Sequence, residues 1–163
     1  MSTVPIMGMQ STLNDDPDKL GVGLTIFASG CIHKCKNCQN PESQDVSNGT
    51  PMTLEEIKRK IYESVKLVKS VTFSGGDFYL YTEALKELST YAKLDLKLKT
   101  ILYTGFKYED LDQEIINHID IIIDGKYNSE EAQNTFPASK NQNVFKNGKQ
   151  LSEKEIKELR INN

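Results

Sequence analysis

Short apolar runs alternate with amphipathic stretches along this chain, and the alternation sets the expected elements. Residues 22–28 are aliphatic, aromatic and β-branched over the length of a strand, and Ser29-Gly30 stops the run. After a polar stretch over 41–51, Thr53 and Glu56 make a capping box, and Leu54, Ile57, Ile61 and Val65 share one helical face. That helix is expected to reach about Leu67. Residues 70–74 read as the next strand, ending in Gly75-Gly76-Asp77, and Thr82 is placed to cap a helix carrying Leu85 and Leu88. The cycle repeats with a strand over 98–104, a helix over 108–118 with Leu111 and Ile115 inward, and a strand over 119–123. Ser152 and Glu155 cap a short last helix bearing Ile156 and Leu159.

Strands that alternate with helices imply right-handed βαβ units around mostly parallel strands. Four such strands are too few to close an eight-stranded barrel. The expected fold is therefore α/β, a partial (β/α) barrel, with function at the C-terminal ends of its strands. The chain reads as one domain, 1–163. Residues 1–20 form an irregular leader, 21–142 the core, and 143–163 a C-terminal tail with a short helix.

Charge narrows the class. Twenty Lys and Arg stand against 23 Asp and Glu, a net charge of −3, and the only arginines are Arg59 and Arg160. Nucleic acid is a poor fit, because phosphate recognition gathers Lys and Arg on one face. No run approaches the roughly 20 apolar residues of a membrane span. The N-terminus shows no basic segment followed by an apolar core, so a cytoplasmic address is expected.

The three cysteines of the chain fall together, as Cys31, Cys35 and Cys38, on a loop that follows the first strand. Their C-x3-C-x2-C spacing lets three thiolates hold three corners of a cubic iron–sulfur cluster. With no fourth cysteine, one iron keeps no ligand from the chain and is open to a substrate. A disulfide fits poorly with an odd thiol count and no secretion signal. A zinc site completed by His33 is the competing reading, although structural zinc usually draws its ligand pairs from separate segments.

This loop, read as Cys31-x-His33-x-Cys35-x-x-Cys38 followed by Asn40, resembles the signature of the radical-SAM superfamily. It is most similar to the branch of anaerobic ribonucleotide reductase activating proteins. Three further segments match in order: residues 73–77, ending in Gly75-Gly76-Asp77; 103–106, with Thr104-Gly105-Phe106; and 123–127, with Asp124-Gly125-Lys126. The resemblance extends from about Gly21 to Gln142. Three departures are visible: Phe78 stands where the family usually has proline, Ala138 replaces a glycine expected ahead of Asn141-Gln142, and the usual Asn-Gly-Pro-Gly segment ahead of the first strand is missing.

The resemblance implies a [4Fe-4S] cluster held by Cys31, Cys35 and Cys38, with S-adenosyl-L-methionine chelated to the open iron. Reductive cleavage would give a 5′-deoxyadenosyl radical, which makes a glycyl radical on the large subunit of anaerobic ribonucleoside-triphosphate reductase, with a flavodoxin-type protein as reductant. Backbone carbonyls around Gly75, Gly76 and Asp77 are expected to accept from the methionine amine, since glycine permits close approach. An ordinary strand-to-helix turn is the plainer reading of the same residues. Asp124 is expected at the ribose hydroxyls and Lys126 at the methionine carboxylate, with a solvated turn as the alternative. Asn37 is a candidate neighbour of the adenine. The roles of His33, Phe106 and Asn141-Gln142 stay open. Other readings of the whole chain are an activase for another glycyl-radical enzyme, a small peptide-modifying radical enzyme, and a non-catalytic iron–sulfur or zinc module.

Overall fold

The alternating apolar runs become strands of one eight-stranded sheet, in a computed structural model that describes residues 2–13, 15–18, 21–38 and 41–161. In chain order the strands are β1 (Thr3–Thr12), β2 (Gly23–Ala28), β3 (Thr50–Thr53), β4 (Ser70–Gly75), β5 (Lys99–Tyr103), β6 (Ile121–Asp124), β7 (Asn143–Lys146) and β8 (Lys149–Gln150). The helices are α1 (Leu54–Ser64), α2 (Thr82–Thr90), α3 (Gln113–Ile116) and α4 (Glu153–Ile161). Across the sheet the order is β3-β1-β2-β4-β5-β6-β7-β8. The run β2-β4-β5-β6 is parallel, the expected partial (β/α) barrel, and antiparallel pairs flank it on both sides.

Two expectations are corrected by the flanks. The stretch 1–20 is not an irregular leader throughout, because β1 pairs with both β2 and β3 and buries Val4 and Ile6. Pro5 and Pro51 face each other across β1 and β3, so neither is asked for the N–H it lacks. The stretch 143–163 is more than a tail: β7 and β8 extend the sheet before α4 begins. Two helix expectations also shift. Over 108–118 the structure has a 3-10 turn at Tyr108–Asp110 and only the short α3. Thr82 is the first residue of α2 and does not cap it.

Alternation along the strands divides the core. Val71, Phe73, Leu102 and Ile122 join Ile57 and Ile61 of α1 and Leu85 and Leu88 of α2 in one cluster on the helical side. Ile101, Ile121 and Ile123 turn the other way and meet Val144, Leu151 and Ile156, so α4 closes that inner side. Both capping boxes form as expected, Thr53 with Glu56 on α1 and Ser152 with Glu155 on α4. Residues 15–18 cross the inner side. Thr25 donates to Asp15 at 2.6 Å, and Lys99 pairs with both Asp16 and Asp18, the latter shared with Lys146 at 3.0 Å.

Candidate active site at the strand ends

Parallel strands leave their C-terminal ends side by side, and here the loops after β2, β4, β5 and β6 meet. Cys31, Cys35 and Cys38 form no disulfide, and each is partly buried. All three line one cavity of about 160 Å³ together with Ser74, Gly75, Gly76, Gly125, Lys126 and Gln142. Backbone hydrogen bonds tie the cysteine loop to its neighbours. The amides of Gly76 and Asp77 donate to the carbonyls of Ala28 and Gly30 at 2.8 and 2.9 Å, and the Gly30 amide donates to Ser43 at 2.6 Å. Tyr81 adds a hydroxyl bond to the Ser29 carbonyl at 2.6 Å.

Such contacts explain the glycine pair. A Cβ on Gly75 would stand 2.1 Å from the Ala28 oxygen, and the residue has φ of +115°. A Cβ on Gly76 would meet the Gly30 and Ser43 oxygens at 2.3 and 2.5 Å. The glycines thus admit the cysteine loop against β4, and they still face the cavity that the thiols line.

Asp77 follows them, and its side chain has a task of its own. Its carboxylate is fully buried and accepts from Thr104 Oγ1, the Gly105 amide and the Tyr79 amide at 2.8–3.0 Å, with His33 Nε2 at 2.6 Å. Phe78 replaces the usual proline by anchoring the turn from inside: it is fully buried and meets Phe73 edge-on at 5.1 Å. Burial pushes the Cys31 thiol up, helped by the nearby Asp77 carboxylate, while backbone N–H groups of His33 and Lys34 pull it partway back. With Nε2 committed to Asp77, His33 retains only Nδ1 for a metal, which weakens the zinc reading.

Asp124 and Lys126 both line the groove beside the thiol cavity, and Lys126 reaches the cavity as well. Ile123 faces the inner cavity and Asp124, one residue on, faces the helical side. The Asp124 carboxylate accepts from the Tyr108 amide at 2.8 Å and the Asn143 amide at 3.1 Å, and lines a neighbouring groove of about 1030 Å³. Lys126 is exposed and borders both spaces. Asn141 and Gln142, left open by sequence, hold this turn: their side-chain amides donate to the Lys126 and Gly125 carbonyls at 2.8 and 3.1 Å. Phe106 borders the groove and packs on Tyr79 at 5.3 Å. Asn37 is exposed, with φ of +55°, and Asn40 lies outside the described residues. A cavity of about 160 Å³ is small beside the roughly 300–1,000 Å³ of small-molecule sites, and the adjoining groove supplies the rest of the room.

Comparison with known proteins gives the family. A family model described as a 4Fe-4S single cluster domain matches residues 19–145. The anaerobic ribonucleoside-triphosphate reductase-activating protein of Enterobacteria phage T4 is 33% identical over 134 residues, covering 78% of this chain and 85% of its own. The chain belongs to the radical-SAM family of reductase-activating proteins. Its counterpart in Vibrio cholerae serotype O1 is also 33% identical, over 69% of this chain and 78% of the relative. The pyruvate formate-lyase-activating enzyme of Clostridium pasteurianum is 28% identical, over 65% of this chain and 46% of its own length. The fold of this family member resembles the crystal structure of QueE from Escherichia coli, with a TM-score of 0.56 at 11% identity over 72% of this chain and 69% of that one.

Proposed function

We propose that this chain is a glycyl-radical activase whose protein substrate is the large subunit of an anaerobic ribonucleoside-triphosphate reductase. The observation that carries the reading is the gathering of three cysteine thiols, the glycine strand end and Lys126 around one cavity, in a member of this family. The donor set fits a [4Fe-4S] cluster, since three partly buried thiols with no fourth cysteine in the chain leave one corner open. Cys31, Cys35 and Cys38 would hold it, Gly75 and Gly76 would offer backbone to the methionine amine of S-adenosyl-L-methionine, and Lys126 would meet the methionine carboxylate. When bound, the reduced cluster supplies the electron that cleaves S-adenosyl-L-methionine to methionine and a 5′-deoxyadenosyl radical able to take hydrogen from a glycine. The chain's own work is to fix the three thiols, to hold the cosubstrate's polar ends and to narrow the cavity around them. A flavodoxin-type reductant and a cytoplasmic setting complete the reading, in keeping with the lack, among the described residues, of any helix long and apolar enough to cross a membrane.

Anaerobic reconstitution with iron and sulfide, followed by dithionite and S-adenosyl-L-methionine, tests this directly. The expected products are 5′-deoxyadenosine and, with the reductase large subunit present, a glycyl-radical signal in electron paramagnetic resonance. A cluster-loaded protein that makes no 5′-deoxyadenosine refutes the activase. A radical signal on a pyruvate formate-lyase and none on the reductase would move the partner toward the clostridial relative's.

A further inference from the structure

His33 stands between two of the cysteines but has a buried partner of its own. Its Nε2 lies 2.6 Å from Asp77 Oδ2, with the two side chains 6% and 0% exposed. Asp77 is in turn fixed by three other donors: Thr104 Oγ1 at 2.9 Å and the Gly105 amide at 2.8 Å after β5, and the Tyr79 amide at 3.0 Å after β4. The imidazole fits its slot closely, meeting the Phe106 ring edge-on at 4.7 Å, and a Cβ on Gly105 would come within 2.4 Å of its Cδ2. Around it the loop is irregular. Lys34 and Asn37 hold φ of +50° and +55°, a conformation that costs a side-chain-bearing residue about 1–2 kcal/mol and persists only where the surroundings impose it.

We propose that His33 is a positioning residue for the cluster: anchored by Asp77, it holds the segment between Cys31 and Cys35 against the ends of β4 and β5, so that the thiols are presented to one cavity before iron arrives. The proposal rests on Cys31, Cys35 and Cys38 being the cluster ligands. Its logic is that a buried carboxylate held by backbone from two other strand ends cannot follow a moving loop, so the loop is made to follow the carboxylate. Removing the imidazole leaves Asp77 short of one donor and frees the middle of the loop at once.

The test compares the full-length protein with its His33→Ala, His33→Phe and His33→Gln variants, reconstituted with iron and sulfide in the absence of S-adenosyl-L-methionine. Four quantities are read: iron and sulfide per chain, the resonance spectrum of the reduced cluster, the rate of cluster loss to an iron chelator, and the melting temperature of the metal-free chain. Residues that orient metal ligands are typically worth about tenfold or more in affinity. His33→Ala should therefore lose its cluster about tenfold faster and show an altered spectrum. His33→Phe fills the slot beside Phe106 without a donor and should do the same, which keeps the test alive if the alanine protein does not fold. Gln carries its Nε2 where the imidazole Nε2 lies and should restore the wild-type spectrum and bring the loss rate to within about threefold of wild type. Wild-type retention and spectrum in His33→Phe, or a glutamine variant as impaired as the phenylalanine one, overturns the proposal. A wild-type protein that loads its cluster yet makes no 5′-deoxyadenosine defeats the activase reading and leaves this comparison standing.

Discussion

Adding one methyl group at Gly76 should part the cysteine loop from β4. The new Cβ would lie 2.3 Å from the Gly30 oxygen, 2.5 Å from the Ser43 oxygen and 2.7 Å from the Gly30 carbonyl carbon. All three are backbone atoms, so no side chain can swing aside. Reaching ordinary contact requires a displacement of roughly 1 Å, enough to take bonds that start at 2.8–2.9 Å past hydrogen-bonding range. Two such bonds, from Gly76 to Ala28 and from Asp77 to Gly30, lie in the path. Each is worth about 1 kcal/mol, and overpacking adds about 1–3 kcal/mol, so the expected loss is about 3–5 kcal/mol. In urea, with a slope of about 2 kcal/mol per molar, the midpoint of the metal-free Gly76→Ala protein should fall by about 2 M. Gly8→Ala serves as control, because a Cβ there meets nothing within 4 Å. In a strand that change should be neutral or stabilising by up to about 1 kcal/mol. A Gly76→Ala protein within about 1 kcal/mol of wild type, or one that matches Gly8→Ala, would refute the close-approach account of the glycine pair.

Burial alone would raise the Asp18 carboxyl, but hydrogen bonds and charge from Lys99 and Lys146 outweigh it and hold the group below its ordinary 3.8. A folded-state value below the unfolded one makes this share of stability fully present above about pH 4 and lost as pH falls through the folded value. Lys99→Met should therefore flatten the acid limb of urea stability measured downward from about pH 5; an unchanged limb would contradict the assignment. Lys126→Met should keep wild-type iron and sulfide content yet weaken S-adenosyl-L-methionine binding about tenfold, equivalent to 1.4 kcal/mol. Asp124→Asn should do the reverse, lowering the melting temperature through loss of an acceptor for Tyr108 or Asn143 while binding changes little. Equal loss of binding in both variants would place Asp124 on the cosubstrate and refute its assignment as a purely structural acceptor.

What could be read from sequence was what local periodicity encodes. The strand expected over 22–28 is Gly23–Ala28, and those expected over 70–74 and 98–104 are Ser70–Gly75 and Lys99–Tyr103, because buried parallel strands are continuous apolar runs with glycine or polar stops. β1 escaped because its pattern is set by partners on both sides. Pro5 and Gly8 argue against a strand locally, and only Pro51 opposite Pro5 and a register shift between Ile6 and Gly8 make them admissible. The same limit governs the site. Clustering of the thiols is a local fact, visible in C-x3-C-x2-C spacing, whereas the division of labour among the other polar residues depends on which face each strand end presents. Asp124 and Lys126 pair through their i, i+2 spacing, and both line the groove beside the thiol cavity, but the two amides that the Asp124 carboxylate accepts from, on Tyr108 and Asn143, are distant in sequence. The carboxylate network of Asp77 was out of sight for a related reason: its four donors come from residues 33, 79, 104 and 105, and no window of sequence contains them together. One signal was available. A histidine between two ligand cysteines, a Gly-Gly-Asp strand end and a Thr-Gly strand end are each unremarkable alone, but parallel topology brings all such ends to one edge. Where a buried acid, a hydroxyl, a glycine amide and an imidazole converge there, a shared hydrogen-bond hub costs less than leaving any of them unpaired.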